Sequence, residues 1–197
     1  MKTVLAWHFV GDTLRDGRPV PADGVVLRFE GTPVMCERGL HASIAPFDAL
    51  QYAPGDTLCR VECGGTILHQ ADKLVCTERT IIARMDATEM LRYFARMQAL
   101  AVVHLWEPED IVLDYLMTGD EQLRASARAW ALASASAWAS ARAWASASAS
   151  ASASASASAS ASASARASAS ASASASASAS ARAEFDQLVD ECFEGVI

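Results

Sequence analysis

The apolar residues of positions 1–85 fall in short runs separated by turn-forming residues, a pattern typical of β-strands. The opening run TVLAWHFV is rich in β-branched and aromatic residues and predicts a strand. A hairpin is predicted from Val25–Phe29 and Thr32–Cys36, turning at Glu30-Gly31. A second hairpin is predicted in DTLCRVECGGTILH with Gly64-Gly65 at its turn, and DKLVCTERTIIARM predicts two further short strands.

Helical signals lie between and after these strands. Pro46 suits the first position of a short helix in PFDALQYAPG. Asp86 and Glu89 have capping-box spacing and predict a helix running to about Trp106. EPEDIVLDYLMTG predicts another helix that stops at Gly119. The predicted fold class is therefore α+β, with an antiparallel, strand-rich domain at 1–85 and two helices packed on it at 86–124.

Residues 125–183 form a low-complexity segment in which every odd-numbered residue is alanine and most even-numbered residues are serine. Strict alternation is a strand pattern, whereas alanine is the best helix former and is depleted in strands. We expect helix, because serine costs only about half a kcal/mol per site relative to alanine. One continuous helix would be about 90 Å long at about 1.5 Å per residue. A silk-like stack of strands and a disordered linker remain open as alternatives.

Large apolar side chains occur only in the first part of this segment and in the residues that follow it. Its first part carries the tryptophans Trp130, Trp138 and Trp144, which we expect to anchor it against a larger surface. Residues 184–197 predict an amphipathic helix whose apolar positions recur at helical spacing. That stripe includes Phe185, Leu188, Val189 and Phe193. We expect it to dock on the first domain or to join two copies of the chain.

Composition and charge narrow the classes of partner. The net charge of −7 disfavours general binding to nucleic-acid backbones, which depends on clustered lysine and arginine. No apolar run reaches the roughly 18 residues of a membrane span, and the apolar start is too short for a signal peptide. Five cysteines, an odd number, fit reduced thiols. We therefore expect a cytoplasmic protein that binds neither membrane nor nucleic acid and uses a protein partner or self-association through its C-terminal helices.

The run GLHASIAPFDALQYAPGDTLCRVECGGTI, together with VVHLWEPEDIVLDYLMTGDEQLRA, resembles a family of uncharacterised phage and prophage proteins. Members of that family carry a G-[LF]-H segment, a DAL.Y helix, an RVE..G strand and an alanine-rich tail. The resemblance covers about the first 124 residues, and this tail differs in using serine where those tails are mostly alanine. It implies a phage-associated origin, with the host cytoplasm as location, and it implies no activity.

Two arrangements of reactive residues deserve consideration as sites. Cysteines and histidines suggest zinc, but Cys59 and Cys63 on one strand would lie about 13 Å apart, so we predict no metal site and no cofactor. The order of His8, Tyr52 and Glu62 is similar to the His–Tyr–Glu set of the ADP-ribosyltransferases. That resemblance implies roles in binding the nicotinamide ribose, in stacking on nicotinamide and in supporting the transition state, respectively. The structural alternative is that His8 and Tyr52 are partly buried residues that contribute to packing and whose polar atoms form hydrogen bonds.

The sequence favours a non-enzymatic, phage- or prophage-associated accessory protein. In this interpretation the α+β domain supplies a recognition surface and the Ala/Ser segment is a helical spacer or packing arm. The alternative from another class is an ADP-ribosyltransferase-like, NAD-binding enzyme. A third hypothesis, an ice- or surface-binding array, is disfavoured because arginine and tryptophan interrupt the repeat.

Overall fold

The fold was analysed in a computed structural model that describes residues 3–105, 107–133 and 178–194. The chain divides into two compact units. The first unit contains Met1–Arg92 and Ser180–Ile197, and the second contains Tyr93–Ala179. The described residues form an antiparallel sheet followed by helices, which confirms the predicted α+β class.

A five-stranded antiparallel sheet dominates the first unit. Its strands are β1 (Val4–Val10), β2 (Val26–Arg28), β3 (Leu40–Ala42), β4 (Thr57–His69) and β5 (Leu74–Asp86). The order is β1-β4-β5-β2, and β3 pairs with another part of β5. The short helix α1 (Pro46–Leu50) has its proline in the first turn, as predicted.

The predicted hairpin between Val25–Phe29 and Thr32–Cys36 is wrong. Strand β2 pairs instead with β5, with Leu27 opposite Arg79. Val34 and Arg38 form an isolated bridge around a tight turn, in which Cys36 has a φ of 64°. Because the long strand β5 offers a continuous row of backbone hydrogen-bonding groups, β2 pairs with β5 and not with the neighbouring residues 32–36.

The predicted turn at Gly64-Gly65 is also wrong. Strand β4 continues through both glycines to His69, and an irregularity lies between Gly64 and Ile67. Gly65 takes a φ of 71°, and the Thr66 N–H donates to Thr77 Oγ1 at 2.9 Å. These features describe a β-bulge, in which glycine supplies the left-handed conformation without ending the strand. The two short strands predicted after it are the single strand β5.

The two faces of the sheet are covered differently. One face carries a core of small and branched side chains that includes Ala6, Val10, Cys59, Val61 and Ile81. The opposite face carries Trp7, which meets a helix from the end of the chain. Alternation along β1 therefore directs consecutive side chains into two separate environments.

Helix α2 (Thr88–Ala101) begins in the first unit and continues into the second. The Thr88 N–H donates to Asp86 Oδ1 at 2.9 Å, whereas the predicted capping box would have Asp86 accept from the Glu89 N–H. The Glu89 carboxylate pairs with Arg92 instead. The helix ends five residues before the predicted Trp106, which lies outside the described residues. A 3-10 turn, Val103–Leu105, follows α2.

The second unit has its own small core. Helix α3 (Asp110–Thr118) ends at Gly119, whose φ of 71° confirms the predicted left-handed stop. Helix α4, at 121–133, brings Ala127 and Trp130 against Val112 and Leu116 of α3. No helix of the described residues is long and apolar enough to cross a bilayer.

The Ala/Ser segment is described only at its two ends. Residues 125–133 belong to α4, and residues 178–183 belong to the last helix, α5, at 178–193. Both ends are helical, as predicted for the segment. The expectation of helix for 134–177 falls outside the described residues.

Candidate functional site

A cavity of about 830 Å³ lies in the first unit, on the face of the sheet that carries Ala6 and Val10. Strands β1, β3 and β5 supply its floor, and residues from the loops at 13–18 and 36–39 line it as well. Helix α1 contributes Ala49, and Tyr52 and Pro54 follow from the segment after it. The volume falls in the range of roughly 300–1,000 Å³ that is typical of small-molecule sites.

Arg79 is the most deeply buried charged group of the cavity wall, with 6% of its surface exposed. It lies on β5 opposite Cys63 of β4. Its Nη1 donates to the backbone carbonyl of His41. Burial lowers the pKa of its guanidinium. Within the described part of the chain, no carboxylate forms an ion pair with Arg79, so its charge faces the cavity without an acidic partner from the protein.

Two of the three thiols next to Arg79, Cys59 and Cys63, do not supply a negative charge. Burial raises the pKa of the Cys59 thiol to about 11. The pKa of Cys63 is also raised, by a hydrogen bond to Cys76 and by burial. Cys76 differs from them: its Sγ lies 3.3 Å from the Leu40 carbonyl oxygen, and the hydrogen bond from Cys63 lowers the pKa of Cys76. Cys59 and Cys63 are therefore neutral neighbours of the guanidinium.

Two imidazoles, His8 and His41, share this wall. The pKa of His8 lies well below its usual value, first because of burial and then because of the nearby Arg79 and His41. Burial also lowers the pKa of His41. His41 Nε2 accepts a hydrogen bond from the Cys36 N–H at 3.0 Å, which fixes the ring with its proton on Nδ1. Both rings are therefore neutral at physiological pH.

Tyr52 and Lys73 form a linked pair at the rim. The Tyr52 hydroxyl donates to Asp72 Oδ2 and accepts from Lys73 Nζ at 3.1 Å. Lys73 Nζ also lies 4.5 Å from the centroid of the Tyr52 ring. The hydrogen bond to Tyr52 and then one to Cys36 raise the pKa of Lys73. The pair holds a half-exposed aromatic ring and a cation at the cavity mouth.

The wall as a whole is cationic, although the chain carries a net charge of −7. Its lining contains five arginine and lysine side chains and two carboxylates. One carboxylate, Asp16, pairs with Arg18 at 2.6 Å. The second is Glu37, and the further cations are Arg15, Arg38, Lys73 and Arg79. This local excess of positive charge suits an anionic ligand.

The structure brings together two of the three residues that resembled the ADP-ribosyltransferase set. His8 and Tyr52 both line the cavity. Glu62 does not, because it pairs in register with Leu5, whereas His8 pairs with Cys59. Directly opposed residues share one face of a sheet, and consecutive residues alternate, so Glu62 lies on the opposite face from His8. The expected convergence of all three side chains therefore does not occur.

The sequence reasoning missed Arg79 and Lys73 as site residues. The burial of Arg79 was hard to predict because the alternation of buried and exposed residues shifts by one position along β5. Counting back by twos from Ala83 and Ile81 places Arg79 on the buried face. Counting forward from Leu74 and Cys76 places it on the other face. Only the pairing with bulged β4 decides between these alternatives.

The residues predicted for interaction have separate locations. Phe185, Val189 and Phe193 are buried in the first unit, and Leu188 is half-buried. Trp130 packs in the core of the second unit. Trp138 and Trp144 lie outside the described residues. Among the described residues, no group of three or more His, Cys, Asp or Glu side chains is placed to hold a metal.

Residues 5–93 match a family model described as a domain of unknown function, DUF7666. The match covers less than half of the chain. It nevertheless includes all five strands except the first residue of β1, and it includes every residue that lines the cavity. No curated protein and no solved structure matches the chain significantly.

Proposed function

We propose that the protein is a non-enzymatic accessory protein whose first unit recognises a small ligand in the cavity beside Arg79. The observation that carries this proposal is the cavity itself. It combines a volume in the small-molecule range with a buried cation that has no acidic partner among the described residues. The recognition surface predicted for the α+β domain is thereby assigned to one face of its sheet.

The arrangement of the polar groups favours binding over catalysis. The Nε2 lone pair of His41, which a general base would use, already accepts the Cys36 N–H. His8 has a lowered pKa and lies beside a cation, which makes it a weak base. Polar groups that are held in place around a volume of this size can fix the orientation of a ligand without reacting with it.

The same proposal gives the Ala/Ser segment the role of a spacer or packing arm. Helix α4 begins that segment and α5 completes it. A phage or prophage origin also belongs to the proposal, supported by the resemblance of the GLHAS and DALQY segments. Neither point affects the ligand site, whose lining residues all precede residue 80.

The proposal is tested by a thermal-denaturation screen of the full chain against charged and uncharged small metabolites. Compounds that raise the melting temperature are then measured with Ala42→Leu, which adds volume to the cavity wall. Ala22→Leu adds the same volume at an exposed position outside the lining and serves as the control. We expect Ala42→Leu to weaken binding at least about tenfold, and Ala22→Leu to bind like the wild type. Equal binding by both variants, or a screen without stabilising compounds, contradicts the proposal.

A second candidate function is an ADP-ribosyltransferase-like, NAD-binding enzyme. The observation in its favour is that His8 and Tyr52 line one cavity. A calorimetric titration with NAD tests this candidate. It predicts saturable binding that Tyr52→Ala weakens, while Glu62→Gln on the opposite face leaves binding unchanged. The absence of binding up to the millimolar range rules the candidate out.

A further inference from the structure

We propose that the cavity is a binding site for a phosphate-bearing small molecule, with the phosphate held by the buried Arg79 guanidinium. The inference rests on the proposed function, which gives the cavity a ligand but leaves its charge open.

Arg79 is buried in the wall of the cavity. Arginine is almost never fully buried unless it is paired. Here 94% of the residue surface is covered, yet the hydrogen-bond partner seen is the His41 carbonyl, which carries no formal charge. Guanidinium presents a planar fork of N–H donors that matches phosphate and carboxylate oxygens. An oxyanion in the cavity would complete a pairing that no carboxylate of the described residues provides.

Several cations surround the same volume. Arg15, Arg38 and Lys73 line the cavity together with Arg79. Glu37 is the one lining carboxylate for which the described residues show no salt bridge. A single carboxylate ligand carries one charge, whereas a phosphate monoester carries up to two and presents three acceptor oxygens. The wall therefore fits phosphate better than carboxylate.

The apolar lining residues suit the organic part of such a ligand. Leu27, Phe29 and Leu40 give the cavity an apolar side. Tyr52 places its ring at the rim, where Lys73 and Asp72 hold its hydroxyl. Apolar walls and an aromatic ring suit an organic body with a flat or apolar face. A nucleoside monophosphate has these two parts and is a suitable probe for a volume of about 830 Å³.

The experiment is isothermal titration calorimetry of the full chain with AMP, adenosine, inorganic phosphate and acetate at one ionic strength. We expect AMP to bind at least about tenfold more tightly than adenosine, and phosphate to compete with AMP where acetate does not. Arg79→Gln should lower AMP affinity by at least about tenfold, and Arg79→Lys should restore only part of it because lysine lacks the fork. Arg28→Gln is the matched control, since Arg28 pairs with Glu78 and does not line the cavity.

A second measurement uses the wild-type protein and so does not depend on whether Arg79→Gln folds. In the free protein the Arg79 guanidinium contributes to holding the pKa of His8 down. A bound phosphate would offset that charge, so NMR titration of the wild-type imidazole should show the pKa of His8 rising when phosphate or AMP is added. An unchanged His8 pKa at saturating AMP contradicts the assignment.

The outcomes separate the two proposals. If AMP and adenosine bind equally, or acetate competes as well as phosphate, the phosphate site is overturned while ligand binding in the cavity survives. If neither phosphate nor AMP binds at concentrations on the order of 10 mM, the phosphate site is overturned as well. The broader proposal then falls only if the metabolite screen also fails. AMP binding that Arg79→Gln leaves intact in a folded protein overturns the site too.

Discussion

Gly39 lies beside the cavity at a position that admits no side chain. Its φ is 117°, and an added Cβ would lie 2.5 Å from Val75 Cγ2 and 3.1 Å from Pro33 Cβ. At Gly17 the φ of 81° also requires glycine, but nothing lies within 4 Å of an added Cβ. A substitution at Gly17 therefore introduces backbone strain alone, whereas a substitution at Gly39 introduces both backbone strain and steric overlap.

We predict that Gly17→Ala lowers the free energy of unfolding by about 1–2 kcal/mol through backbone strain alone. Gly39→Ala should lower it by a further 1–3 kcal/mol or so, because the neighbouring side chains must also move. Urea denaturation of the two variants measures the difference. Equal losses would show that the Gly39 loop does not pack as described.

His8 should make the stability of the folded protein depend on pH. Its pKa is depressed in the folded protein, so between that value and about 6.5 the unfolded chain binds more protons. Stability should therefore rise with pH across that interval and be lost as pH falls below about 6.5. His8→Gln should weaken this dependence between pH 5.5 and 7.5, and the contribution of His41, whose pKa burial also lowers, should remain. His69→Gln, at an exposed position of β4, should keep the wild-type slope, and a slope shared by all three proteins would contradict the assignment to His8.

At the scale of elements, helix α5 closes the face of the sheet opposite the cavity. Phe193 meets the Trp7 ring edge-on at 4.8 Å, and Phe185 meets Phe47 at 5.8 Å. The Phe47 N–H donates to Asp186 Oδ1 at 2.8 Å, and Arg182 pairs with the largely buried Asp48. The amphipathic stripe predicted from the sequence is thus used within the first unit.

We predict that Phe185→Ala lowers the free energy of unfolding by about 3–5 kcal/mol, since the ring is fully buried. Gln187→Ala changes an exposed position of the same helix and should stay within about 0.5 kcal/mol of the wild type. Chemical denaturation followed by Trp fluorescence measures both variants. A small loss for Phe185→Ala would mean that α5 is not part of the folded unit.

The elements also show which features of the fold can be predicted from sequence. Pro46, Gly119 and the apolar stripe of α5 gave correct helices because each signal acts within a turn or two of chain. The hairpins at Gly31 and at Gly64 were wrong because glycine permits a bulge or a loop as readily as a turn. The choice depended on β5, a partner distant in sequence.

The candidate site was harder to predict for the same reason. His8 and Tyr52 were identified from residue type, but their shared cavity results from the pairing of β1 with β4 and from the position of α1. Glu62 matched the His–Tyr–Glu set in chain order only, and chain order does not show which face of a strand a residue occupies. Arg79 was missed because the alternation of buried residues shifts along β5, so counting every second residue does not identify it as buried.

At the scale of the whole molecule, the first unit is completed by two separated parts of the chain, Met1–Arg92 and Ser180–Ile197. The cost of closing a connection between them grows only with the logarithm of its length, about 0.6 kcal/mol per doubling. If the Ala/Ser segment is a spacer, removing residues 150–165 should change the free energy of unfolding by well under about 1 kcal/mol and leave ligand affinity unchanged. A large loss of stability or of ligand affinity would show that the length of the segment has a structural role.

The cationic cavity of the first unit is the proposed ligand site. The most direct test is an NMR titration of the labelled full chain with AMP, following the backbone amides and the Arg79 side-chain Nε–H. We predict saturable shifts at Arg79, His41 and Ser43, with little change along α5 on the opposite face. Shifts confined to α5, or no saturable shifts at all, would contradict ligand binding in the cavity.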